Sequence, residues 1–154
     1  MSTSPHDTAS MPLWDRIHQS FLRQGMMPQL GARLDRVAPG EVDIALPYSD
    51  RVTQQQGGFH GGAMGALADI AGGYAALTVT PEGMEVTTVE YKINFLAAFQ
   101  GGELRATGKV LRRQATDRDL GARATCFGIR QDIGLRRDAA NRDAGSQNLR
   151  LNPI

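Results

Sequence analysis

Cysteine occurs once, at Cys126, so this chain can form no internal disulfide and no multi-cysteine metal site. That usage suits a reducing compartment. Charge of one sign is also missing: the formal net charge is +1, too small a field to argue for or against a polyanionic partner. A local basic cluster could still meet phosphate groups. The first residues, MSTSPHDTAS, have neither the basic start nor the apolar run of a signal peptide, and a cytoplasmic location is expected. There is no GxxxxGK[ST] phosphate loop, no HExxH and no GxSxG elbow. Only one long apolar run exists, Ala63 to Val79, and Asp69 interrupts it. It is barely long enough to span a bilayer, and a buried core helix is the expected reading.

With 154 residues the chain fits one domain and one core. Ser10 and Pro12 mark a helix start, followed by Leu13, Trp14, Ile17, Phe21 and Leu22 at helical spacing as far as Gly25. Val42, Ile44 and Leu46 alternate with Glu41, Asp43 and Ala45, which predicts a strand. A Pro39-Gly40 turn precedes it, and Ala32 to Val37 is the expected partner. The glycine-rich QQQGGFHGG leads into the apolar helix, and Pro81 to Gly83 ends that region. Val89, Tyr91, Ile93 and Phe95 alternate cleanly with Glu90, Lys92 and Asn94, predicting another strand with a bulge near Thr87 and Thr88. After Gln100-Gly101-Gly102, strands are expected through Leu104, Ala106 and Val110 and, more weakly, from Leu120 to Ile129. Strands in runs around a single apolar helix predict an α+β domain with an antiparallel sheet curved over that helix.

The segment with chemical content runs from Gln54 to Asp69. An aspartate within an apolar helix is costly to bury charged unless it is paired or reaches water, and no lysine or arginine lies between Val52 and Glu90. Asp69 is therefore either a functional carboxylate or one that bonds a neighbouring backbone or faces a solvent channel. His60 and Gly61 stand at the start of the same helix. Unpaired N–H groups and the positive dipole end suit a polarised carbonyl there, and glycine allows close approach. A turn capped by His60 is the plainer alternative.

Taken together, GGFHGGAMGALADIAGGYAAL followed by TTVEYKINFL resembles the hotdog thioesterases of the phenylacetate-degradation type. These carry a polar amide, then roughly HGG, then a carboxylate nine residues after the histidine. His60 and Asp69 have that spacing, and Gln54 lies where relatives place asparagine or glutamine. The resemblance implies hydrolysis of acyl-coenzyme A with no metal and no organic cofactor. It implies that Asp69 acts as nucleophile or general base, that the Gly61 N–H polarises the thioester carbonyl, and that His60 shapes the loop. Gln54 would position water or thioester. Thr88, with Thr87 as the alternative by one residue, would assist the water. Gly62, Phe59, Met64 and Tyr74 are candidate pocket residues, and Lys92, Lys109, Arg112 and Arg113 are candidates for the coenzyme phosphates. The site is expected between subunits of a homodimer or homotetramer, with no nucleic-acid, membrane or metal partner. A non-catalytic acyl-CoA binder and an acyl-thioester hydratase are the competing readings of the same fold.

Domain limits follow from composition: a flexible N-terminus over 1–9, the domain over 10–130, and an atypical tail over 131–154. The tail contains no valine, threonine or aromatic residue, and neither period 2 nor period 3.6 persists in it. Family members end instead in a strand rich in Val, Ala, Thr and Leu. A slip of reading frame after Arg113 accounts for a tail rich in arginine, aspartate, alanine and glycine when the gene is GC-rich. The nucleotide sequence decides it: Arg137-Asp138 spelled cgc-gac reads alanine-threonine one base later, and codons incompatible with that spelling sink the idea.

Overall fold

The computed structural model describes residues 12–95, 98, 100–114, 126–136 and 148–150. Helix α1 (Leu13–Leu22) buries Ile17 and Phe21, starts immediately after Pro12, and is followed by the short α2 (Met26–Leu30). Ser10, the expected cap, lies outside the described residues. Strands β1 (Arg33–Ala38) and β2 (Glu41–Pro47) form the expected hairpin, with Gly40 at φ 76 in its turn, a conformation that favours glycine. A 3-10 turn, Asp50–Val52, leads through a loop to the central helix α3 (Gly61–Thr78). Strands β3 (Glu103–Gln114), β4 (Cys126–Arg136) and β5 (Asn148–Arg150) complete an antiparallel sheet in the order β1-β2-β3-β4-β5.

Helix α3 contains Gly61, Gly62, Gly65, Gly72 and Gly73, a composition with poor intrinsic helix propensity. Burial compensates. Leu67, Ala68, Ala71 and Ala75 are fully enclosed and pack with Val42, Ile44, Leu46, Leu104 and Ala106 of the sheet. The closest approach is at Gly108 of β3, where a Cβ atom would stand 2.0 Å from the Ala71 carbonyl oxygen. The end of the helix is tied down by distant groups. Arg16 of α1 donates to the Leu77 carbonyl at 2.7 Å, and the Gly40 N–H donates to the Thr78 hydroxyl at 2.7 Å. The arginine satisfies a terminal carbonyl and sits at the negative end of the helix dipole. None of the described helices is long and apolar enough to cross a membrane.

The alternation in β2 misses part of its burial. Asp43 and Ala45 are buried as well as Val42, Ile44 and Leu46, because the outer sheet face is roofed by a ladder of ion pairs. Arg33 pairs with Glu103 at 2.6 Å, Arg105 meets Asp35, and Arg36 pairs with Glu41 at 2.6 Å. Asp43 accepts from the Thr107 hydroxyl at 2.6 Å. The hydrogen bond from Arg36 holds the Glu41 carboxyl below the usual carboxylate range, with Lys109 adding to the effect and partial burial opposing it.

Three expectations are corrected. The segment from Val89 to Phe95 is not a strand, and no bulge forms at Thr87 and Thr88. Instead the chain runs antiparallel along α3: Thr88 reaches Asp69, Tyr91 lies over Gly65 and Phe95 over Gly61. Alternation requires a covered face but not a hydrogen-bonded neighbour, and among the described residues this segment has no ladder partner, with Val89 90% exposed. The strand expected to end at Ile129 runs on to Arg136 in β4 (Cys126–Arg136), while residues 120–125 lie outside the described residues. Gln131 therefore lies inside β4, so the sheet extends beyond the 130/131 boundary, and β5 adds a further short strand; residues 137–147 and 151–154 lie outside the described part, as do 1–9.

Since neither the Ala71 carbonyl nor the β3 backbone can step aside cheaply, Gly108→Ala is expected to cost about 3 kcal/mol or more. Urea denaturation at fixed protein concentration reads this; a loss below about 1 kcal/mol would mean that helix and sheet are not held at this distance.

Candidate active site

Two clefts open at different points along α3. The larger, about 530 Å³, contains Asp69, Thr87 and Thr88, and is walled by α1 and α3. Asp69 is half-buried rather than enclosed, and its Oδ1 accepts a hydrogen bond from the Thr88 hydroxyl at 2.6 Å. Thr88 rather than Thr87 thus makes the contact. Asp69 has no ion pair among the described residues, although Arg23 of α1 lines the same cleft, a cation that local sequence could not offer.

The smaller cleft, about 270 Å³, lies at the N-terminus of α3 and includes His60, Gly62, Thr53 and Arg51. The loop that builds it is pinned. Thr53 bridges to Phe59, the Gln54 N–H donates to the Gly58 carbonyl at 2.8 Å, and the His60 N–H donates to the Val52 carbonyl at 2.7 Å. Gly57, at φ 84, makes the turn, and Tyr48 donates to its carbonyl. His60 is the N-cap of α3: its Nδ1 accepts from the Gly62 N–H at 2.8 Å. Gly62 must be small, because a Cβ there would come within 3.0 Å of the imidazole. The Gly61 N–H, at the first helical position, has no acceptor among the described residues.

The remaining candidates divide. Gln54 accepts from the Gln56 N–H, so its carboxamide is engaged within the turn. Phe59 and Met64 are core residues; Phe59 packs edge-on against Tyr48 with ring centroids 5.3 Å apart. Tyr74 does line the Asp69 cleft. Lys92 is exposed, Lys109 pairs with Glu41 at 3.6 Å, and Arg112 and Arg113 sit on β3 opposite Gly128 and Phe127. Sequence reasoning overlooked Arg51, Arg23 and Gln24, since nothing in their local spacing points at α3.

One chain does not bring Asp69 and Gly61 together. Eight residues of helix separate them by about 12 Å along the axis, and Gly61 does not line the cleft that holds Asp69. Carboxylate and helix N-terminus stand apart on one rod.

The described cap sets an expected outcome. Removing the side chain in His60→Ala should cost about 1 kcal/mol, and His60→Asn should restore most of it, because asparagine caps well. Thermal or urea melts check this; equal stability of all three would remove the cap from the account.

Residues 56–116 match the profile of the Thioesterase superfamily. A thioesterase family protein from Silicibacter pomeroyi superposes with a TM-score of 0.75 at 30% identity, covering 89% of this chain and 90% of that one. The PaaI protein of the phenylacetic acid degradation operon of E. coli superposes with a TM-score of 0.62 at 18% identity, over 92% and 94% of the two chains. A curated relative from Saccharolobus solfataricus, named provisionally as an esterase, is 38% identical over 87 residues. That match spans 56% of this chain and 61% of the relative.

Proposed function

This chain belongs to the thioesterase superfamily and has its hotdog fold, and from that premise we propose that it hydrolyses acyl-coenzyme A to the free acid and coenzyme A. The observation that carries the reading is the Asp69 carboxylate, open to a cleft and held by a hydroxyl rather than by a cation. Thr88 occupies Oδ1, which leaves Oδ2 for water. As general base, Asp69 takes a proton from water while the oxygen attacks the carbonyl carbon. The carbonyl oxygen, now negative, is held by the Gly61 N–H at the helix N-terminus. The C–S bond then breaks, and the thiolate leaves with the proton returned from Asp69. As nucleophile, Asp69 would instead form a mixed anhydride that water opens. Label from ¹⁸O-water entering Asp69 in a single turnover distinguishes the second route from the first.

The 12 Å or so between the half-sites has a direct consequence. A thioester carbonyl is attacked and polarised within about 3 Å, so carboxylate and N–H must come from different chains. A homodimer, alone or within a tetramer, supplies Asp69 and Thr88 from one subunit, and Gly61, His60 and Gln54 from the other. Gln54 backs the loop that presents the N–H. Lys92 and Arg51, both exposed and without an ion pair among the described residues, would meet the coenzyme's phosphates. The single cysteine fits a cytoplasmic setting.

Free-thiol release from acyl-CoAs tests the reading. Asp69→Ala should lose about 10²-fold or more. The shared site is tested by mixing variants. Gly61→Pro removes the N–H while suiting the first helical position, since His60 already has ψ 133, which a residue before proline prefers. Each of these variants alone should be inactive, and co-refolding them should restore about a quarter of wild-type activity, one intact site in each mixed dimer. No recovery from folded mixed dimers places the site within one chain. A thioester left intact with an altered acyl chain identifies a hydratase, and binding without turnover identifies a carrier.

A further inference from the structure

The cleft that holds Asp69 extends well past the carboxylate. Asp69, Ile70, Gly73, Tyr74 and Leu77 fall within about 140° of arc on α3, so they form one continuous wall. The facing wall is the end of α1 and the residues just after it, through Ser20, Arg23 and Gln24. Along the helix, Tyr74 lies about 7.5 Å and Leu77 about 12 Å beyond Asp69.

Two details of this wall stand out. Gly73 is the residue one turn beyond Asp69, and a Cβ built on it would meet no atom of the described residues within 4 Å. Glycine in a helix interior is unfavourable, and here packing does not require it, in contrast to Gly108. What Gly73 leaves is open space next to the carboxylate. Farther along, the wall turns polar. The buried Tyr74 hydroxyl accepts from Gln24 Nε2 at 2.8 Å and donates to Ser20 Oγ at 3.3 Å. Among the described residues this leaves the Gln24 amide oxygen and the Ser20 hydroxyl proton without partners. The charged residues lining the cleft are one cation, Arg23, and two carboxylates, Glu85 and Asp69.

We propose that this cleft takes the acyl group, that Gly73 is the residue admitting a chain longer than a few carbons, and that Ser20, Gln24 and Tyr74 select one ending in a neutral hydroxyl. This rests on the thioesterase reading for the position of the carbonyl, next to Asp69. From there an extended six-carbon acyl chain passes Gly73 and brings its far end to the Ser20–Gln24–Tyr74 cluster. A donor and an acceptor are both available there, which matches a hydroxyl. A terminal carboxylate would face Glu85 and Asp69 as well as Arg23, and the cleft offers it no net positive charge. A plain alkyl end would leave the polar cluster dry and unpaired.

The test compares acetyl-, hexanoyl- and ω-hydroxyhexanoyl-CoA with wild type, Gly73→Leu, Gly73→Ala and Gln24→Leu. Gly73→Leu, which fills the open space and has a better helix former, should lower kcat/KM for hexanoyl-CoA about tenfold or more relative to acetyl-CoA. Gly73→Ala should shift the ratio in the same direction by less, and its melting temperature should not fall. Wild type should prefer the hydroxylated chain over hexanoyl, and Gln24→Leu should erase that preference. Affinity for the non-hydrolysable thioether S-hexyl-CoA is measured alongside. If wild type binds it but hydrolyses nothing, and Gly73→Leu weakens it at least tenfold, the cleft assignment stands and the hydrolase reading falls. If both glycine variants change acetyl and hexanoyl kinetics equally and leave S-hexyl-CoA affinity unaltered, the acyl group lies elsewhere and the proposal is overturned. A preference for hexanoyl over its hydroxylated form overturns the selection by Ser20, Gln24 and Tyr74.

Discussion

The distance between α3 and the sheet governs the rest of the structure, and it is set where the Ala71 carbonyl oxygen occupies the place of a side chain at Gly108. Backbone meets backbone there, so neither element can slide or rotate without a clash. A helix turns about 100° per residue, which places Asp69 and Gly73, each two residues from Ala71, on roughly the opposite side from the sheet. The contact that buries one face of the helix therefore turns the other toward the cleft. A carboxylate can sit on a largely apolar helix without a buried charge because the fold rolls it outward, to a half-buried position beside Thr88.

Much of this was legible in the sequence, for reasons that are local. The β1–β2 hairpin follows from alternation and a Pro-Gly turn, and α3 follows from the apolar run Ala63 to Val79, which stops before Pro81. Family resemblance alone puts Thr88 in one site with Asp69, nineteen residues away, and the hydrogen bond between them is visible only in the structure. What local pattern could not show is covering at a distance. Arg16 closing the end of α3, Gln24 reaching Tyr74, and the Thr107 hydroxyl on Asp43 all join residues more than forty positions apart. Phe59 and Met64 have the character of pocket residues and belong to the core, because apolar residues beside a site read the same whichever way they face.

The segment from Val89 to Phe95 shows a different limit. Its alternation is the clearest in the chain, yet a strand exists only where a second strand offers its N–H and C=O groups. Here the side chains find a helix instead: Tyr91 and Phe95 lie over Gly65 and Gly61, positions where the helix has no side chain of its own. The glycines of α3 thus serve different neighbours. Gly62 makes room for the imidazole cap, Gly61 and Gly65 for aromatic side chains, and Gly73 for nothing among the described residues.

The cap at His60 and the carboxylate at Asp69 are carried on one uninterrupted helix, so their relation is counted in whole peptide units. Substitutions between them change packing by degrees, but a single-residue insertion or deletion changes the count. It would swing the carboxylate by about 100° and shift it by about 1.5 Å relative to the cap. The stretch from Gly61 to Asp69 is thus a place where gene variation in length is barred, a reading frame of geometry rather than of codons.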